Sequence, residues 1–201
     1  MINKLSFGFL AAIAFVAFSF VGRAPQAETT YKVDTKKSTL VWTGKKVTGA
    51  HTGHISLSKG TITADGKNIK SGTFEINMNS ISVTDLTDST YNKKLVGHLK
   101  ADDFFGVDKH PKATFVLTKA TLKSGNDYDV TGKLTIKGVT QDVSFPATIT
   151  TTPNALTAVA KITVDRTKFD IKYGSGSFFD NLGDKAIDND FTLDLNLVAT
   201  K

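Results

Sequence analysis

The chain has 201 residues, 40% hydrophobic and 22% charged, with no cysteine and a net charge of +6. Disulfides, thiolate metal sites and a thioether lipid anchor are therefore excluded, and the fold must be held by its own core. Lysines are interspersed with aspartates and form no dense basic run, which argues against a nucleic-acid partner.

The first stretch differs in kind from the rest. One lysine precedes residues 5–21, which carry no charge, and Gly22-Arg23-Ala24-Pro25-Gln26-Ala27 follows with small and polar residues. A basic start, an apolar run and a small-residue exit predict a secretory signal peptide over residues 1–27. An uncleaved anchor is the competing reading, because the 17 residues of 5–21 approach the ~20 that span a bilayer. Cleavage after Ala27 leaves residues 28–201 as one domain, exported to the periplasm or beyond, with no stable membrane span. Loss of Lys4 and Arg23 lowers the net charge to +4.

From residue 28 onward apolar and polar residues alternate. Thr73-Phe74-Glu75-Ile76-Asn77-Met78-Asn79 does so cleanly, as do residues 133–137 and 191–197, and residues 114–118 with one slip. Period two gives each strand a dry and a wet side. Phe74, Ile76, Met78, Leu134, Ile136, Leu193 and Leu195 are predicted to face one interior, with Glu75, Asn77, Thr135 and Asp194 outside. Bends are expected at Lys59-Gly60, Asp65-Gly66-Lys67-Asn68, Ser71-Gly72, Ser124-Gly125-Asn126-Asp127, Lys137-Gly138 and Pro153-Asn154. Strands joined this closely run antiparallel. Only residues 85–105 resist the strand pattern; a short helix near residues 92–99 would place Leu95 and Leu99 one turn apart. The result is all-β with about eight strands, and the pattern alone fits a sandwich as well as a closed barrel.

Four blocks in order resemble the YceI-like family of bacterial periplasmic proteins. They are Val41-Trp42-Thr43-Gly44-Lys45 with His51-Thr52-Gly53-His54, then residues 98–105 with Pro111 and Thr114-Phe115, then residues 132–146, and finally Arg166-Thr167-Lys168-Phe169-Asp170-Ile171 with Gly183-Asp184-Lys185. The family often has glycine where this chain has Asp170, which leaves the local backbone there open. The resemblance implies an eight-stranded antiparallel lipocalin-like β-barrel with one short helical segment. It further implies a tunnel for a polyisoprenoid such as a quinone tail, or for a long acyl chain, and no enzymatic activity.

Such a ligand offers little to hydrogen-bond, so its site needs dry walls; each buried CH₂ contributes roughly 0.8 kcal/mol. Candidate wall residues are Trp42, Phe74, Ile76, Met78, Phe115, Leu117, Leu134, Ile136, Phe145, Phe169, Phe191, Leu193 and Leu195. Phe104-Phe105 and Phe178-Phe179 lie in connections, where they either plug the barrel ends or form an entrance.

Chemistry has weaker support. His51 and His54 have a metal-like spacing, but positions i and i+3 of a strand face opposite ways. Asp102, Asp103 and His98 could exchange protons, yet no serine sits in a nucleophile elbow. Gly174-Ser175-Gly176-Ser177 resembles a phosphate loop without its lysine or helix. No metal or cofactor is expected, and the oligomeric state stays open, a homodimer included.

Overall fold

The computed structural model describes residues 28–201; the expected signal peptide lies outside them. Among the described residues nine strands form: β1 (Thr29–Val33), β2 (Thr39–Lys46), β3 (Gly49–Asp65), β4 (Asn68–Asn77), β5 (Lys112–Ser124), β6 (Asp127–Ile136), β7 (Val139–Thr151), β8 (Ala155–Asp165) and β9 (Ile187–Thr200). All their pairings are antiparallel.

The nine segments occupy eight positions of a closed barrel. β2 pairs with the first half of β3 and most of β9, whereas β1 pairs with the second half of β3 and the end of β9. The two are collinear, interrupted by a turn in which Asp34 accepts backbone N–H groups from Lys36 and Lys37. From β1 and β2 the order runs through β9, β8, β7, β6, β5 and β4 to β3, which closes the ring. Closure removes the open edges that a sandwich would have to protect.

The alternation decides which face is dry. On β8, Leu156, Ala158 and Ala160 are buried while Thr157, Val159 and Lys161 are exposed. On β9, Phe191, Leu193, Leu195 and Leu197 belong to or pack against the core, and Asp194 and Asn196 are exposed. On β4, Phe74 and Ile76 turn inward and Glu75 meets Lys59 and Lys112 on the outer side. The strand ends at Asn77, however. Met78 begins a 3-10 turn whose N-cap is Asn77, and it is buried through that turn rather than by strand alternation.

Two expected bends lie inside strands. Lys59-Gly60 falls within β3, next to a register shift between Leu57 and Lys59, and Ser71-Gly72 falls within β4. Gly72 makes no turn; a Cβ there would stand 3.2 Å from the Phe74 ring, a tight contact to which the ring would have to yield.

The barrel's ends differ. At one, the hairpin tips are latched to each other. Tyr128, 2% exposed, donates its hydroxyl to the Lys67 carbonyl (2.7 Å), Lys67 Nζ donates to Gly125 O (2.7 Å), and Tyr31 donates to Thr152 O (2.8 Å). The other end is capped by helix α1 (Ser89–Lys100) and the loop after it. Asp88 starts the helix by accepting the N–H groups of Thr90 and Tyr91, satisfying two donors that would otherwise be orphaned. Residues 82–84 approach it along β3, where Ser82 and Thr84 donate to the His54 and Thr52 carbonyls.

Candidate ligand-binding cavity

The barrel axis is hollow. Two chambers of about 120 Å³ each lie end to end and share Leu40, Ile76, Leu134 and Leu193 as common walls. The chamber toward the latched end is lined by apolar side chains and Gly72. Phe74, Phe115, Leu117, Phe145 and Leu195 supply its bulk, and Ala147, Ala158 and Ala160 leave it room. Phe115 stands 6.1 Å from Phe74 and 5.7 Å from Phe145, centroid to centroid, within the range of favourable aromatic pairs.

The second chamber lies under the capped end. Trp42, Met78, Ile136 and Phe191 line it from the barrel and turns, and Leu99, Phe104 and Phe105 line it from the cap. Trp42 is fixed by donating Nε1–H to Ser82 O (3.0 Å). Phe104 meets Phe105 edge-on at 5.1 Å, and Phe105 meets Phe191 at 6.3 Å. Charged residues enter the lining only here. Lys45, Asp188 and Asp190 are exposed and sit where β2 is irregular against β9, between Gly44 and Lys46.

Arg166 is the exception, a charged wall residue only 2% exposed. Its Nε, Nη1 and Nη2 donate to the carbonyl oxygens of Asp188 (3.0 Å), Ile171 (2.8 Å) and Ile187 (3.1 Å). The guanidinium also stands 5.6 Å from the centre of the Phe104 ring. Burial lowers its pKa, and Asp165 and Asp188 oppose that shift. The side chain thereby ties the long β8–β9 connection to the barrel mouth. In the sequence Arg166 stands out only as the first residue of the Arg166-Thr167-Lys168-Phe169 block, with no sign of this burial.

Three candidate residues lie away from the chambers. Phe169 is 1% exposed in the 3-10 turn after β8, where it packs in the core without lining either cavity. Phe178 and Phe179 are 48% and 50% exposed. They therefore plug nothing; their turn is built by donating backbone N–H groups to Ser175 O. Leu40, Leu57, Ile62, Ile149 and the three wall alanines were not singled out, although period two on β7 and β8 could have found the alanines.

The groups that suggested chemistry have other partners. His51 Nδ1 lies 2.7 Å from Asp85 Oδ2 while His54 is exposed, so the two imidazoles do not converge. His98 packs edge-on against Tyr173 at 4.5 Å and lies 3.5 Å from Asp103, on the outer side of the cap. Asp102 pairs with Lys109. Ser175 is fully buried and donates to Asn189 Oδ1 (2.6 Å), which makes it a loop pin rather than part of a phosphate cradle. At Asp170 the backbone is left-handed, with φ 59°, which explains the glycine preference of the motif; aspartate tolerates this region better than most residues.

Comparison with known proteins fits this architecture. A UPF0312 protein of Pectobacterium atrosepticum is 39% identical over 88 residues, 44% of this chain and 43% of that protein. Protein YceI of Escherichia coli O17:K52:H18 is 38% identical over the same shares. The matches thus span less than half the length of these curated relatives. The crystal structure of Burkholderia cenocepacia BcnA superposes with a TM-score of 0.67 at 28% identity, covering 84% of this chain and 99% of that one. A polyisoprenoid binding domain from Saccharophagus degradans gives 0.62 at 18% identity, covering 85% and 97%, and so speaks to the fold alone. The YceI-like domain family matches residues 31–199, and the chain belongs to that family.

Proposed function

We propose that this protein binds and carries a long apolar lipid, a polyisoprenoid or an acyl chain, in the barrel tunnel outside the cytoplasmic membrane, and catalyses no reaction. The observation that carries this reading is the pair of chambers sharing four apolar walls, the inner one presenting no polar side chain. A chain of repeated hydrocarbon units is the ligand for which such a surface is complementary, because its affinity comes from burial rather than from hydrogen bonds. The Saccharophagus degradans neighbour, which shares the fold, is described as polyisoprenoid binding, and an isoprenoid is one chain of this kind. Export rests on the apolar run of residues 5–21.

Protein purified from its own host should yield an apolar molecule on organic extraction, identified by mass spectrometry, and native mass spectrometry should show that mass bound to the folded chain. Protein that carries nothing and takes up neither isoprenoid nor acyl chains after solvent stripping would overturn the carrier reading in favour of a barrel that works through its outer surface. N-terminal sequencing should find the mature chain starting near Glu28; an intact Met1 on membrane-bound protein would overturn export.

A further inference from the structure

We infer that Arg166 is a head-group site: the tunnel takes an apolar chain ending in a carboxylate, with the two carboxylate oxygens on the N–H groups of Arg166 that the fold leaves free. The inference deepens the lipid-carrier reading and rests on it.

A guanidinium has five N–H donors. The fold uses three of them, each on a backbone carbonyl, and none on a carboxylate. Two donors therefore remain on a cation that is 2% exposed and forms part of the wall of the outer chamber. Phe104 covers it at 5.6 Å, so water has poor access to one face. Asp188, whose carbonyl it holds, has an exposed side chain, and so does Asp190 beside it. A buried positive charge hydrogen-bonded only to carbonyl oxygens, with the Asp165 and Asp188 carboxylates acting on it without bonding it, can take a further counter-charge, and two remaining donors match the paired oxygens of one carboxylate.

The surroundings limit the head further. Beyond Arg166 and the exposed residues at the irregular β2–β9 seam, the side chains of the chamber wall are apolar, and the Trp42 N–H is already given to Ser82 O. A head with many oxygens would leave acceptors unpaired there, whereas a carboxylate leaves few. The tail then runs past Leu40, Ile76, Leu134 and Leu193 into the inner chamber.

The test uses the delipidated mature protein and three probes of equal chain length: hexadecanoic acid, hexadecan-1-ol and hexadecane. The wild type should hold the acid about 10- to 100-fold more tightly than the alcohol, the range expected of charge-assisted hydrogen bonds to a buried cation. Arg166→Lys, which keeps the charge and loses the planar fork, should cut that preference while hexadecane binding stays; Lys133→Met, on the outer face, should keep it, and Lys45→Met asks whether the head sits at the mouth instead. The wild-type comparison stands even if the Arg166 variant folds poorly. Equal binding of acid and alcohol by the wild type overturns the head-group site and leaves the tunnel. A preference lost in Lys45→Met and kept in Arg166→Lys moves the head to the mouth and equally overturns it. Failure of all three probes to enter removes the carrier reading, and the head-group site with it.

Discussion

Replacing Ala160 by phenylalanine tests whether the barrel axis is open. Ala160 lies on β8 opposite Ala147 of β7 and Leu195 of β9, and all three line the inner chamber. A ring projecting from this position enters a space of about 120 Å³ walled by aliphatic and aromatic side chains. With the adjoining chamber the space exceeds the roughly 150 Å³ of a dry cavity that accepts a benzene molecule. Burying the ring contributes about 1.5–3 kcal/mol, and ordering it costs roughly 0.5–1 kcal/mol. The delipidated variant should therefore gain on the order of 1–2 kcal/mol, or about 2–8 °C in melting temperature for a domain of this size. Its uptake of a long-chain lipid should fall, because the ring occupies the path of the tail. Calorimetry and lipid content measured on the same stripped and reloaded preparation read both effects. In a filled core the ring would instead overpack, costing about 1–3 kcal/mol. A stripped variant that melts below the stripped wild type would refute the open tunnel.

Other positions separate packing, backbone and charge. Gly53→Ala should destabilise the barrel by at least ~2 kcal/mol in urea unfolding, since a Cβ there would fall 1.7 Å from the Ser82 carbonyl oxygen, which Trp42 also bonds; wild-type stability would contradict the close approach of residues 82–84 to β3. At Asp170, alanine should cost about 1 kcal/mol through its left-handed backbone while glycine stays near neutral, so equal denaturation midpoints for the two variants would contradict the conformational argument. Burial tends to raise the pKa of Asp85, but hydrogen bonds from the Thr52 N–H and His51 outweigh it, and the net shift is downward. Its ionised form thus adds stability above the unfolded carboxyl value of ~3.9, and that contribution is lost as pH falls through the lower folded value. Asp85→Asn should flatten this part of the acid limb in melting curves between neutral pH and pH ~3; an unchanged limb would show that the pair does not contribute.

How much of this was legible in the sequence depends on whether the signal is periodic. Residues 133–137 and 191–197 alternate because each strand has one dry face, and the facing of Leu134, Ile136, Leu193 and Leu195 followed from that. Met78 faces inward for a reason that alternation does not carry, since Asn77 caps a 3-10 turn that a short alternating window cannot distinguish from one more strand residue. Glycine was the main source of misplaced bends. Gly72 reads as a turn signal, yet it lies within β4 close against the Phe74 ring, a packing context that residue type alone does not express.

Size is a second blind spot. A search for binding walls favours phenylalanine and leucine, which fill volume, but a cavity exists where volume is missing. Ala147, Ala158 and Ala160 alternate on β7 and β8 as inward residues, and their smallness beside Phe145 and Leu195 is what keeps the inner chamber open. Arg166 shows the same limit in charge. In sequence it is one basic residue among 25, and nothing in its neighbours predicts burial. Its position follows from long-range closure: the chain leaves β8, turns through left-handed Asp170, and returns as β9 with the Ile187 and Asp188 carbonyls directed at the guanidinium. A buried cation held by three carbonyls forms only once that loop has closed, which is why the most polar feature of the tunnel was the one that pattern reading could not place.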